Sequence, residues 1–442
     1  MIGSSVTANI MLGTAVLGAT AGVIGSFAVL RRRALVGDML SHAALPGICL
    51  AFLIMGDRNL LGLSLGALVT GLLGIGVVAI LLRWTRTKED AAIGIVLSTF
   101  FGAGVVLLSI AQRHTSGNQA GLDSYLFGET AGMTRADIQW IGGVALACLV
   151  IVMLFYKEFQ LISFDQDFAA AQGWPTFALD LVMMGTLAIV TIVGLPICGV
   201  ILMAALVILP GAAARFWTDH LGRLLVIAAG VGAAAGVLGT LFASPVLERQ
   251  LGFNPFGEGA MAVPPGPLIV LSAAAMFVIS LLFAPQHGVI ARAAAELRLR
   301  ARIVREHLLR ALYELSEPQL PERPLIEESQ LVAYRSWNQS WYTWWLNRLR
   351  YQGLVEQQGD SVRLTPAGLA AAADVTRTHR LWELFLVERA GVASDHVDRD
   401  ADDVEHMLPA PLVRELESQL AGEGRLPVVA ETVPESPHEL AR

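Results

Sequence analysis

Two ionisable residues, Asp38 and His42, stand four positions apart within an otherwise apolar stretch of the 442-residue chain. At this spacing both side chains project from the same face of a helix. Ionisable groups at membrane depth are costly, and they usually line a pathway or pair with one another. A carboxylate beside an imidazole is also a donor set that divalent transition metals accept. The pair therefore predicts a point on a metal path, the alternative being a polar pair that only joins neighbouring helices.

The pair lies in the second of nine apolar stretches, and crossing a membrane takes about 20 such residues. We therefore expect an all-α polytopic membrane protein with about nine transmembrane helices. The sixth and seventh stretches are separated only by Gly194-Leu195-Pro196, so they could instead form one broken or re-entrant pair. The stretches are 9–30, 37–55, 60–82, 91–112, 138–156, 178–194, 197–213, 224–245 and 266–285.

The basic residues predict how these spans are oriented. If the spans alternate, nine basic residues fall on one side and four on the other, and the positively charged side stays in the cytoplasm. We expect an N-terminus outside the cytoplasmic (inner) membrane and a C-terminal domain in the cytoplasm. The nine are Arg31, Arg32, Arg33, Arg83, Arg86, Lys88, Lys157, Arg215 and Arg223, and the four are Arg58, Arg113, Arg135 and Arg249.

Charge divides the chain into two unlike parts. The residues before position 290 include 14 acidic and 13 basic ones, whereas residues 290–442 include 24 acidic and 18 basic ones. We predict a transmembrane domain at 1–290, in contact with lipid, and a soluble C-terminal part. Three single cysteines, Cys49, Cys148 and Cys198, indicate neither a disulfide framework nor a thiolate metal site.

The chain contains no nucleotide-binding loop of the type G-x-x-x-x-G-K-[ST]. We therefore expect no nucleotide site and no catalytic residues on this chain. If ATP drives its activity, a separate subunit hydrolyses it.

Five segments, in order and with sensible spacing, resemble the permease subunits of bacterial ABC importers for manganese, zinc and iron. The resemblance covers residues 5–287. It implies a second permease subunit, of the same or a sister chain, two cytoplasmic ABC ATPase subunits and an extracytoplasmic metal-binding protein. It also implies that Asp38 and His42 belong to the metal path. The segments are 34–47, 89–96, 123–128, 164–173 and 199–211.

Residues 164–175 predict a short amphipathic helix in a cytoplasmic loop, ended by Gly173-Trp174-Pro175. Such a helix can dock in a groove of a partner, and the permease resemblance implies that this one couples the chain to the ATPase. The alternative is an ordinary amphipathic connector. The coupling residues would be Phe164, Asp165, Asp167, Phe168, Ala171 and Gly173.

The C-terminal part predicts a charged helix followed by a winged helix-turn-helix, with two short strands around Gly359-Asp360. Residues 302–420 resemble the diphtheria-toxin-repressor family of iron- and manganese-dependent regulators in the order of every element. The resemblance implies metal-sensing and dimerisation helices. The predicted boundaries are a linker helix at 291–301, the winged helix at 302–370, the sensing helices at 371–421 and a mobile tail at 422–442.

The same resemblance implies a regulatory metal site. Three candidate ligands depart from the family pattern: His307 stands where the family has Met or Asp, Asp402 where it has Cys or Glu, and Asp398 replaces a His. Oxygen and imidazole donors favour manganese, although zinc and ferrous iron also accept them. The alternative is a solvated acidic helix. The candidate ligands are His307, His379, Glu383, Asp398, Asp402, Glu405 and His406.

Nucleic acid is not an expected partner of the C-terminal part. The segment that would enter a DNA groove, 336–345, contains four tryptophans, and wide indoles suit protein or lipid interfaces better than base edges. The net charge of residues 290–442 is also negative, whereas phosphate contact needs concentrated positive charge. Arg335, Arg348 and Arg350 could still form a small basic patch.

The sequence thus predicts the permease subunit of an ATP-driven importer of a divalent transition metal, manganese first and zinc or iron as alternatives, fused to a metal-responsive regulatory domain. Two other classes stay open: a membrane-tethered metal-dependent transcription regulator, and a metal transporter driven by an ion gradient. Neither accounts for the segment at 164–175.

Overall fold

The structure is a computed structural model that describes residues 2–55, 60–114, 128, 130–244, 265–335, 339–391, 410–422 and 433–434. The chain divides into two units, Met1–Arg292 and Ala293–Arg442. Each unit has its own hydrophobic core.

The first unit is helical throughout its described ranges. Eight of its helices are long and apolar enough to cross a membrane, and a shorter apolar helix covers 202–215, so the predicted all-α polytopic fold is confirmed. The helices are α1 (Ile2–Leu30), α2 (Leu35–Met55), α3 (Leu60–Trp84), α4 (Glu89–His114), α5 (Arg135–Leu154), α6 (Tyr156–Phe164), α7 (Gln166–Ala171), α8 (Thr176–Cys198), α9 (Val200–Arg215), α10 (Leu221–Ala243) and α11 (Pro265–Phe283).

The break between the sixth and seventh apolar stretches lies later than the sequence suggested. Helix α8 continues through Pro196 to Cys198, and α9 begins at Val200. Between them, Gly199 has φ +77°, a left-handed conformation that glycine adopts without steric cost. A proline in the last turn removes one helical hydrogen bond and need not end the helix. The 16 residues of α9 span about 24 Å, short of a hydrocarbon core of about 30 Å.

Helices α1 and α10 approach closely enough for their backbones to touch. A Cβ added to Gly18 would lie 2.2 Å from the carbonyl oxygen of Gly232, and one added to Gly232 would lie 2.0 Å from that of Gly18. Thr14 and Thr240 bring their hydroxyl oxygens to 3.2 Å across the same interface. Small residues allow such approach in membrane bundles. The α1–α10 contact is therefore a close backbone-to-backbone contact of the unit, while α2 packs on α3 and α4.

Helix α12 (Val289–Ser316) contains the boundary between the units at Ala293 and covers the predicted linker at 291–301 without interruption. The winged helix follows as predicted, with a wing whose strands pair antiparallel in the order β1-β3-β2. Gly359, at φ +64°, makes the expected turn. The two-residue strand β1 was not predicted. The elements are β1 (Ile326–Glu327), α13 (Glu328–Arg335), α14 (Gln339–Tyr351), β2 (Val355–Gln358) and β3 (Ser361–Leu364).

Two further helices, α15 (Pro366–Arg389) and α16 (Ala410–Gly422), pack against each other. The Thr365 hydroxyl caps α15 by accepting a 2.9 Å hydrogen bond from the Gly368 amide, as serine and threonine do at helix N-termini. Of the predicted tail at 422–442, the structure describes Gly422 and residues 433–434. Pro434 is buried, and its carbonyl accepts a 2.8 Å hydrogen bond from Arg380.

Candidate functional site

Asp38 and His42 lie on one face of α2, with Asp38 in the first helical turn. Their nearest side-chain atoms, Asp38 Oδ1 and His42 Nε2, are 3.5 Å apart. The His42 ring packs edge-on against Phe101 of α4, with 4.9 Å between ring centroids. The Asp38 side chain is 39% exposed and that of His42 is 25% exposed. The pair is thus held by its own helix and by Phe101, and remains accessible from outside the chain.

This spacing suits two donors on one metal ion. Ligand atoms about 2.1 Å from an ion at a tetrahedral angle lie about 3.4 Å apart. Among the described residues, no group of three or more His, Cys, Asp and Glu side chains could hold a metal ion.

A cluster of charged residues lies at the turn between α1 and α2, just before Asp38. Arg31 pairs with Asp180 of α8, and Arg33 donates to the same carboxylate at 2.7 and 2.9 Å. Arg33 also pairs with Glu89 at the start of α4. Burial lowers the pKa of Arg31, although Asp180 acts in the opposite direction. In the sequence, these arginines indicate only the orientation of the spans, because nothing there identifies Asp180 as their partner.

The same cluster reaches the segment predicted to couple the chain to an ATPase. Arg31 donates a 2.7 Å hydrogen bond to the side chain of Gln166, the first residue of α7. Asp165 caps α7 by accepting a 2.8 Å hydrogen bond from the Phe168 amide. Through Arg31, α7 is therefore tied to α8 and to the turn that leads into α2.

The other residues of this segment divide by exposure. Ala169 is fully buried, whereas Phe164 is 60% exposed, Phe168 51% and Trp174 43%. Asp167 and Ala171 are also exposed, and Gly173 has φ +85° just after the helix. The segment thus presents aromatic side chains outward while one alanine anchors it to the unit.

Of the candidate regulatory ligands, the structure brings His379 and Glu383 together. Both side chains are fully buried, and His379 Nε2 lies 3.1 Å from Glu383 Oε1. His307 is half-buried on α12 and does not complete a metal-binding group with them among the described residues. Asp398, Asp402, Glu405 and His406 fall outside the described ranges. Sequence reasoning missed Arg310, which contacts His379.

The tryptophan-rich segment is described in part. Trp344 is 59% exposed, and Trp345 packs edge-on against it at 4.8 Å between ring centroids. Trp337 and the Trp341 side chain are among the residues that the structure does not describe. The exposed Trp344 leaves an aromatic surface on α14 that faces away from the core of the second unit.

Two family models match the chain. The ABC 3 transport family matches residues 4–284, and the iron dependent repressor, metal binding and dimerisation domain matches residues 365–422. Both resemblances seen in the sequence are therefore confirmed.

Individual relatives agree with these matches. The chain is 36% identical over 419 residues to the manganese transport system membrane protein MntC of Bacillus subtilis (strain 168), covering 95% of this chain and 92% of MntC. It is 37% identical over 282 residues to the zinc transport system membrane protein TroC of Treponema pallidum (strain Nichols), covering 64% of this chain and 90% of TroC. A solved structure, PsaBC from Streptococcus pneumoniae in complex with Fab, superposes with a TM-score of 0.52 at 31% identity, covering 63% of this chain and 92% of the other.

The transport-family match spans the helices that carry Asp38, His42 and α7, and the MntC alignment extends through both units. The chain belongs to the ABC 3 transport family.

Proposed function

We propose that this chain is the membrane permease subunit of an ATP-driven importer of a divalent transition metal, with manganese as the favoured cargo. The observation that carries the proposal is the Asp38–His42 pair, placed 3.5 Å apart on one face of an apolar, membrane-length helix. A structural pair would be buried between helices, whereas these side chains are accessible. Oxygen and nitrogen donors without sulfur favour manganese over metals that prefer thiolate. The relative MntC is named as a manganese transport protein, which supports the same choice.

The test is uptake of radiolabelled manganese and zinc in cells deficient in metal transport that express the chain with its neighbouring ATPase and binding protein. Asp38→Asn and His42→Gln each remove one metal ligand while keeping the size of the side chain. Ser41→Ala is the matched control, because Ser41 lies on the same helix and bonds only its own backbone at Gly37. We expect both ligand variants to lose manganese uptake and the control to keep it.

Two outcomes would contradict this proposal. Unchanged uptake in both ligand variants would mean that the Asp38–His42 pair has only a structural role, and it would favour the alternative of a membrane-tethered regulator. Manganese uptake that persists without the ATPase partner would favour a transporter driven by an ion gradient.

We also propose that α7 and its flanking aromatics form the docking surface for the ATPase subunit. Phe164, Phe168 and Trp174 are exposed, and docked interfaces depend on aromatic anchors of this kind. Phe168→Ala should therefore release the ATPase when the complex is purified. Trp217→Ala removes an aromatic side chain that is 39% exposed at a different turn, and it should leave the complex intact.

The accessible metal pair also supports a second permease subunit, the same chain or a sister chain, against this face of α2. An extracytoplasmic metal-binding protein would deliver the ion, and the excess of basic residues in the loops on one side supports a cytoplasmic location of the second unit in a bacterial cell. Cysteine-accessibility labelling of intact cells tests the orientation. A cysteine at Glu356, an exposed residue of the wing, should react only after the cells are opened.

We propose further that the second unit regulates transport in response to cytoplasmic metal. The match to the iron dependent repressor domain at 365–422 supports this role. A ligand can change transport only if it binds two arrangements of the chain with different affinity. Deleting residues 300–442 should therefore make uptake insensitive to internal metal, and equal sensitivity would refute the idea. Of the ligands predicted from the sequence, we propose His307, Asp398, Asp402, Glu405 and His406 for this role, whereas Arg310 already contacts His379 of the His379–Glu383 pair.

A further inference from the structure

A buried polar cluster joins α12 to α15 in the second unit. Arg310 and Glu314 come from α12, and His379 and Glu383 come from α15. His379 and Glu383 are fully buried, Arg310 is 2% exposed and Glu314 is 8% exposed. Charged groups buried to this degree are rare unless they are paired. The arrangement of these pairs decides what His379 can bind.

Both ring nitrogens of His379 have a partner. Arg310 Nη1 donates to His379 Nδ1 at 2.5 Å, and His379 Nε2 lies 3.1 Å from Glu383 Oε1. A guanidinium is a donor only, so Nδ1 must accept and therefore carries the lone pair of a neutral ring. The proton consequently sits on Nε2 and is donated to Glu383.

The Arg310 guanidinium is also held from its own helix. Arg310 Nε lies 3.6 Å from Glu314 Oε1, and Tyr334 donates a 2.6 Å hydrogen bond to the other oxygen of that carboxylate. The hydrogen bond from Tyr334, which lies on α13, therefore fixes the orientation of the Glu314 carboxylate. The guanidinium has an anionic partner beside it and is not held by the histidine alone.

A transition metal binds histidine through a ring lone pair. The neutral His379 ring has one lone pair, and Arg310 occupies it. A divalent ion placed there would also stand beside a buried positive charge. As they stand, the described residues of this pair do not fit a metal ion.

We infer that the Arg310 guanidinium excludes transition metals from the His379–Glu383 pair, because metal and guanidinium compete for the one lone pair of the neutral His379 ring. The matched repressor domain is described as metal binding, and this chain carries an internal cation at that pair instead. The inference bears on how the proposed regulatory domain works, and it stands or fails without reference to transport.

The test measures metal binding by the purified full-length chain in detergent, with Co²⁺ as the probe and visible absorption as the readout. The variants are the unchanged chain, His379→Gln, Arg310→Met, and Arg310→Met combined with His379→Gln. Met keeps much of the length of the arginine side chain and removes its charge. Any Co²⁺ bound at Asp38 and His42 is common to all four proteins and cancels in the comparison.

We expect Arg310→Met to bind one more Co²⁺ than the unchanged chain, with an affinity higher by about tenfold or more, and the double variant to lose that ion. His379→Gln alone should leave binding by the unchanged chain as it was. If His379→Gln removes an ion from the unchanged chain, the pair already binds metal and the inference is wrong. If Arg310→Met gains nothing, the guanidinium is not the obstacle and the inference is also wrong.

The inference can still be tested if the Arg310→Met variant does not fold. Arg310→Gln is a second variant that keeps a hydrogen-bond donor without the charge, and thermal unfolding identifies which variants are folded. The comparison of His379→Gln with the unchanged chain needs no change at Arg310 at all. It can therefore refute the inference by itself.

Discussion

Replacing Asp180 by asparagine should destabilise the first unit and uncouple α7 from α2. The Asp180 carboxylate pairs with both Arg31 and Arg33. The side chains of these arginines are only 5% and 14% exposed, and that of Asp180 is 22% exposed. Asparagine retains an acceptor oxygen but loses the negative charge, which leaves two largely buried guanidinium groups without their shared anion.

The size of the effect follows from this burial. Removing one partner of a buried ion pair costs about 3–5 kcal/mol, and the partial exposure of Asp180 and the retained acceptor reduce that value. We expect about 2–4 kcal/mol, between the values for a buried and an exposed pair. For a unit of this size, the unfolding temperature should fall by roughly 5–10 °C. The fall in the pKa of Arg31 on burial shows that Asp180 does not fully offset the desolvation of this arginine.

The assay is thermal unfolding of the purified chain in detergent, with Asp219→Asn as the matched control. Asp219 contacts His287 at 3.0 Å, but its side chain is 73% exposed, so its removal should cost about 0–1 kcal/mol. Equal shifts for the two variants would refute the reasoning, since buried and exposed pairs would then contribute alike.

A second variant separates stability from coupling. Gln166→Ala removes the 2.7 Å hydrogen bond from Arg31 to α7 and leaves the Asp180 pairs in place. Because Gln166 is exposed, its stability should stay within about 0.5 kcal/mol. Metal-stimulated ATP hydrolysis by the assembled complex should nevertheless fall, if α7 acts on α2 through Arg31. Unchanged hydrolysis would limit the cluster to a structural role.

Three further predictions concern packing and pairing. Gly18→Ala should destabilise the α1–α10 contact by about 1–3 kcal/mol, because the new Cβ meets the Gly232 carbonyl. Gly76→Ala is the control and should not destabilise the unit, because the space around Gly76 is open. Thermal unfolding distinguishes the two variants. Phe101→Leu should raise the metal concentration for half-maximal uptake more than it lowers the maximal rate, because it frees the His42 ring; a pure loss of rate would contradict this. Glu317→Gln should cost the second unit about 2–3 kcal/mol, because both Glu317 oxygens accept from the buried Arg380; no change in unfolding would contradict it.

The sequence predicted what depends on local pattern. Apolar length predicted the spans, two short strands around Gly359-Asp360 predicted the wing, and the spacing of Asp38 and His42 predicted a shared helix face. One local signal misplaced a helix boundary: Pro196 predicts a break, yet α8 continues past it to Cys198 and the break lies at Gly199.

Long-range pairs explain the other omissions. Arg31 and Asp180 are 149 positions apart and Arg310 and His379 are 69 apart, so neither contact has a periodic signature. A conspicuous run of three arginines and a conspicuous His-x-x-x-Glu motif were both visible in the sequence. For each of them, the sequence does not reveal the distant partner residue that determines its chemistry.

The two histidine–carboxylate pairs at i and i+4 differ in their surroundings. The Asp38–His42 pair is accessible, its atoms are 3.5 Å apart, and no third donor joins it among the described residues. An ion with few protein ligands can leave as readily as it enters, which a permease needs. The His379–Glu383 pair is fully buried and hydrogen-bonded, with Arg310 on the remaining ring nitrogen. The same motif is therefore accessible in the first unit, whereas in the second unit it is buried with both ring nitrogens of its histidine in contact with a partner. We expect these surroundings to determine which of the two pairs can accept metal.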